Sequence, residues 1–152
     1  MDRQTCVVIV EPRPRGGSII PIAFDPVATW GDRDEFYVHG TIQGRGVRGS
    51  ITHDGQRWIM SLGPAWCRDA AVGPGREVLV ALAPEGPQVD DVPSELGELL
   101  RADPAARRAF EHLPTFYRDG FVRPIADARR PDTRARRAQQ VLAALLDGRR
   151  AY

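Results

Sequence analysis

The chain has no lysine and no asparagine, and all 21 of its basic residues are arginine. The missing lysine excludes a Schiff base, a phosphate-loop lysine and any other catalytic lysine. Cysteine is scarce. Cys6 lies in a strand-like run and Cys67 in a helix-like run, and neither sits in a metal-binding pair motif. They read as two reduced, buried thiols of a cytoplasmic protein. His39, His53 and His112 are too far apart for a short ligand motif, so no metal and no cofactor are expected. No apolar run approaches the ~20 residues that span a membrane. The opening "MDRQTCVVIVEPRPR" lacks the apolar core and cleavage site of a secretory signal.

What is present fits one domain, or a small domain with a helical appendage. The chain has 152 residues, 42% hydrophobic and 27% charged, enough to bury a core without staples. Its net charge is +1, but unevenly spread. Residues 1–92 hold nine arginines against twelve acids; residues 93–152 hold twelve against eight. The densest stretch is "DARRPDTRARRAQQ", residues 127–140, with five arginines. On a helical wheel its cations do not form one stripe. Arg134 borders an apolar face of Ala135, Ala138, Val141, Leu142, Leu145 and Leu146, whereas Arg136 points away from it. A groove-reading helix gathers its cations on one side, so nucleic acid is disfavoured as a partner. Arg134 reads instead as a structural ion pair with Asp127 or Asp132, and Arg136 as solvated.

The pattern along the chain changes once. "TCVVIV" reads as a buried strand and "EPRPRGGS" as a turn or loop. Then "IIPIAFDPVATWGDRDEFYVHGTI" gives a strand, a short helix capped by Asp25 and Pro26, and a strand. "VRGSITH" and "RWIMSL" are strands joined by an Asp-Gly turn. "GPAWCRDAAVGPGREVLVALA" gives another short helix and strand. The second strand–helix–strand echoes the first. Pro26 aligns with Pro64; Gly31, Phe36 and Val38 align with Gly73, Val78 and Val80. Two related halves closing into one barrel are expected. "APEGPQVDDVP", residues 83–93, reads as a linker. Beyond it the periodicity is helical, with Ser94 and Thr115 as caps and Asp103–Pro104 and Asp132 or Thr133 as helix starts. Gly120 and Pro124 weaken or kink the third of these helices.

From about residue 16 to 150 the sequence resembles the bacterial YdeI/OmpD-associated (bacteriocin-protection) proteins that carry an uncharacterised β-barrel domain in front. The likeness rests on "GGSIIPIAFDPVATWG", "VHGTIQGRGVRGSI" and "VGPGREVLVALAPEG". It continues through "VPSELGELLRADPAARRAFEHLPTFYRDGFVRPIADARRPDTRARR". The family pattern has "SHRREYVRWI" where this chain has "FYRDGFVRPI". A function tied to that turn therefore does not carry over. The resemblance implies a split barrel followed by a helical tail, and no established catalysis.

The expected fold is α+β: a small split β-barrel with short capping helices over 1–88, and a helical tail over 93–150. Alternation in the strand 35–42 puts Tyr37, His39 and Thr41 on one face, and Arg48 joins them from the next strand. With Trp30, Trp58 and Trp66 they make a candidate surface for a small anionic or aromatic ligand. As nucleophiles Cys67, Ser50 and Ser61 lack an elbow motif, and they read as an inert thiol and ordinary strand serines. Three functions compete. The first is a non-enzymatic cytoplasmic binding or stress-tolerance protein of the YdeI/OmpD-associated type. The second is a small-molecule pocket protein, or an enzyme of a biosynthetic pathway with histidine as proton carrier. The third is a DNA-binding regulator. The partners in view are a small-molecule ligand and a second copy of the chain, with no membrane. The residues name no reaction.

Overall fold

The computed structural model describes residues 3–152. The chain divides into two compact units, Met1–Pro84 and Glu85–Tyr152. The first contains β1 (Gln4–Ile9), β2 (Glu11–Pro12), β3 (Ser18–Pro21), α1 (Pro26–Trp30), β4 (Glu35–Ile42), β5 (Arg45–His53), β6 (Trp58–Leu62), α2 (Pro64–Ala70) and β7 (Glu77–Pro84). The second contains a 3-10 turn at Val89–Asp91, then α3 (Ser94–Ala102), α4 (Pro104–Glu111), α5 (Thr115–Asp127) and α6 (Pro131–Leu146).

The strands form one antiparallel sheet in the order β1-β7-β4-β5-β6-β3-β2. Its two edges belong to one stretch of chain. Residues 4–9 pair with β7, and after Val10 residues 11–12 pair with β3. At Val10 the amide donates to the Arg76 carbonyl (2.9 Å), and its carbonyl accepts from Gly75 (2.8 Å). A single bent strand thus brings the two edges together and leaves little edge exposed. The strands alternate as their side chains require. On β4, Phe36, Val38 and Ile42 are buried and Tyr37, His39 and Thr41 half-buried. Gln43 and Gly44, both at positive φ, make the two-residue turn into β5.

The two related halves are present. Asp25 caps α1 through Val27 and Ala28, and α1 and α2 both start on proline. β3 pairs with β6, and β4 with β7. Pro21 faces Ile59, and Gly40 faces Leu82. In each pair the two residues are counterparts under the repeat. At Gly40 the strands approach so closely that an added Cβ would lie 1.9 Å from the Ala81 carbonyl oxygen.

The helical unit has its own core, with Leu96, Leu100, Phe110, Phe121, Ile125, Val141 and Leu145 at its centre. Several boundaries differ from the sequence reading. Pro93 and Pro114, not Ser94 and Thr115, hold the cap positions, and α6 starts at Pro131. Asp103 caps α4 as its side chain suggests, accepting from Ala105 and Ala106 at 3.1 Å each. α5 runs unbroken through Gly120 and Pro124. Proline removes the amide that would reach the residue-120 carbonyl, but Gly120 is exposed, so water can replace it. On α6, Ala138, Val141, Ala144 and Leu145 are buried, while Ala135 and Leu146 are exposed. The stretch 83–93 is not a loose linker: Glu85, Gln88, Val89 and Val92 are buried. Residues 85–88 group with the helical unit.

Candidate functional site

On the outer face of the barrel the β4–β5 register sets His39 directly opposite Arg48. Side chains so placed have Cβ atoms roughly 5 Å apart. Trp66, from α2, adds an indole, and its ring N–H donates to the Gly46 carbonyl at 3.2 Å. Gly46 has open space where a side chain would stand, so the groove floor is bare backbone. His39, Gly40, Gly46, Val47, Arg48 and Trp66 line an open groove of about 430 Å³. A guanidinium fork, an imidazole and an aromatic face therefore converge on one surface.

The rest of the predicted set lies elsewhere. Trp30 is buried, edge-on to Phe24 at 5.1 Å and tilted on Phe36 at 5.8 Å. Trp58 stacks edge-on with Phe36 at 5.4 Å and His53 at 5.1 Å. Trp30 is a core residue because α1 ends over the barrel interior, and Trp58, half-buried on β6, packs against that core. Tyr37 shares the His39 face, but its hydroxyl donates to Glu35 at 3.1 Å. It is not among the residues lining the groove.

The ion pair of Arg134 also differs from expectation. Its partner is Glu95, with Nε donating to Oε1 at 2.9 Å, rather than Asp127 or Asp132. Asp132 accepts from Arg130 instead, at the surface. The reason is the other end of the fork. Arg134 Nη1 donates to the carbonyls of Ile125, Ala126 and Ala128, at 3.0, 3.2 and 3.1 Å. Arg137 Nη1 reaches the Pro124 carbonyl at 2.6 Å. The last carbonyls of a helix have no partner within it. Two arginines of α6 supply partners for the end of α5, where cations also suit the helix dipole. That geometry leaves Nε facing α3 and Glu95. The Arg134 bond holds the Glu95 carboxyl below its ordinary value of 4.5. Arg136 is exposed, as its position on the wheel implies.

Sequence reasoning missed the most deeply buried charge. Arg118 is 1% exposed. Its Nε donates to the Leu113 carbonyl at 2.8 Å, and Nη1 to those of Glu85 and Pro87 at 3.1 and 3.2 Å. Nη2 donates to the Glu111 carbonyl, and the guanidinium lies 5.3 Å from the Phe110 ring centre. Nearby, the Glu85 carboxylate accepts from the Thr115 amide at 2.6 Å and its hydroxyl at 2.5 Å. The signal was present. Arg118 stands three and seven residues before Phe121 and Ile125, on the apolar stripe of α5.

The two units define a class: an α+β protein with a small, nearly closed antiparallel barrel and an arginine-braced four-helix tail. Residues 5–82 match the Domain of unknown function (DUF1905) model. Residues 91–148 match the model described as Bacteriocin-protection, YdeI or OmpD-Associated. The chain belongs to the YdeI/OmpD-associated (bacteriocin-protection) family, with that uncharacterised domain in front. No curated protein matches it.

Proposed function

We propose that this chain is a non-enzymatic cytoplasmic binding protein whose barrel groove takes a small, planar anion. The cross-strand pair His39–Arg48 beside the Trp66 indole carries the reading. The guanidinium supplies charge and forked donors, and the indole a flat apolar face. A binding role fits better than acid–base catalysis, because among the described residues no hydrogen bond orients the His39 ring. A general base normally needs such a partner. Two unpaired thiols, Cys6 and Cys67, support a reducing compartment. Arg134 and Arg137 are engaged at the end of α5, which argues against α6 reading a nucleic-acid groove.

The test is a thermal-shift titration with benzoate, using benzamide as its neutral counterpart and Arg48→Ala as control. Benzoate should raise the melting temperature, benzamide should not, and Arg48→Ala should remove the effect. A benzoate shift that survives Arg48→Ala overturns the assigned role. The family description suggests tolerance of bacteriocins as the context. A deletion strain with unchanged bacteriocin sensitivity would remove that part of the reading.

A further inference from the structure

The two related halves of the barrel fill their shared interior differently. Around α1 the space is filled by Phe24, Trp30, Phe36 and Trp58, in ring contact from one to the next. Under the repeat, the counterparts of these four are Leu62, Val72, Val78 and Ile20. Each aromatic around α1 thus has an aliphatic counterpart around α2. These four aliphatics are themselves buried, on the side of the barrel beside α2. A cleft of about 430 Å³ opens there, lined by Ser18, Pro64, Cys67, Arg68, Val72 and Pro74 among others.

A second observation points to an occupant. Ser18 is on the inward register of β3 and is 1% exposed. Its Oγ is buried with no hydrogen-bond partner. Leaving a buried hydroxyl unpaired disfavours the fold, and such groups are ordinarily matched. Cys67, the neighbouring polar group, already has an acceptor, the Leu62 carbonyl at 3.9 Å. The mouth carries Arg68, whose side chain is 76% exposed and whose Nε lies 3.8 Å from its neighbour Asp69. Among the described lining residues it is the single charged group.

We propose that this cleft binds a compact organic acid. Its branched apolar body would rest on Pro64, Val72 and Pro74. One of its oxygens would accept the Ser18 hydroxyl, and the negative charge would face Arg68. The volume suits a small ligand rather than a cofactor. The site is separate from the His39–Arg48 groove.

The test is titration of the full chain with isobutyrate, and with isobutyramide as the neutral isostere, followed by amide NMR shifts. Isobutyrate should move the Ser18, Cys67, Arg68 and Val72 signals saturably, and the amide should bind about tenfold more weakly, a difference of about 1.4 kcal/mol. Ser18→Ala should weaken binding without lowering the melting temperature, because it removes an unpaired hydroxyl. Arg68→Ala should weaken binding, and Arg48→Ala should leave it unchanged, which separates this site from the groove. Val72→Phe restores the bulk of the other half and should close the cleft. If that variant fails to fold, the serine and arginine variants decide. Absence of saturation, equal binding of acid and amide, or unaltered binding by Ser18→Ala and Arg68→Ala overturns the proposal and leaves a solvent-filled cleft only.

Discussion

The barrel and the helical unit solve the same backbone problem in opposite ways. In the barrel the strands satisfy one another, and the bend at Val10 brings the two sheet edges together. Polar side chains such as His39 and Arg48 then lie on the outer face. The helical unit is built from short helices of 9, 8, 13 and 16 residues. Each helix end leaves carbonyls and amides unmatched. Here the side chains do that work: Arg118 for residues 85, 87, 111 and 113, and Arg134 with Arg137 for the end of α5. Arg118, Arg134 and Arg137 are thus braces, whereas Arg48 lines the barrel groove.

That contrast can be broken most directly at Arg118. Arg118→Met should destabilise the helical unit by about 3–5 kcal/mol, since four carbonyls around a buried guanidinium each lose a donor. Lysine should restore little, lacking the fork. Urea denaturation followed at Tyr117 or by helical circular dichroism checks this; a loss below about 1 kcal/mol would refute the bracing role. The matching test for the barrel is Gly40→Ala, where the added methyl must displace the Ala81 carbonyl. Overpacking of this kind costs about 1–3 kcal/mol. It should appear in tryptophan fluorescence, because all three tryptophans lie in the barrel.

A smaller effect separates the surface brace from the buried one. Arg134 and Glu95 are each about a quarter exposed, at 25% and 26%. Solvent screening limits the pair to about 1 kcal/mol or less. The folded Glu95 carboxyl is depressed below its ordinary 4.5. Its contribution is therefore present above that value and is lost as pH falls through the lower, folded one. Wild type and Glu95→Gln should differ at neutral pH and converge in acid. A constant gap from neutral pH into acid would show that the carboxylate charge does not matter. Smallest of all, Arg48→Ala should shift stability by no more than about 0.5 kcal/mol while removing benzoate binding.

What the sequence revealed depended on how local the physics was. Asp25–Pro26, the Asp54–Gly55 turn and the alternation of β4 are decided by neighbouring residues, and all were legible. So was the repeat, through Pro26 and Pro64. The partner of Arg134 was not, because Glu95 comes 39 residues earlier and only packing of α6 on α3 selects it. Trp30 and Trp58 look like Trp66 in a composition count, and only strand register and helix placement separate core from groove. Residues 83–93 look like a linker because they are rich in proline and acid. Arg118, on the apolar stripe of α5, bonds the Glu85 and Pro87 carbonyls there, a contact set by packing rather than by neighbouring residues.

The bend at Val10 has a consequence for how the barrel comes into being. Gln4 must meet Leu82, and Glu11 must meet Ile19. During synthesis β1 therefore waits for the last strand of its unit, whereas β2 finds its partner almost at once. Long-range closure is slow because the chain loses loop entropy before it gains contacts. The clasp is expected to form late, in a chain whose other hairpins are already paired. Until then the apolar inner faces of β3 and β7 stand at open edges. The segment that finishes the barrel is thus also the one whose delay leaves the nascent chain most prone to associate with another.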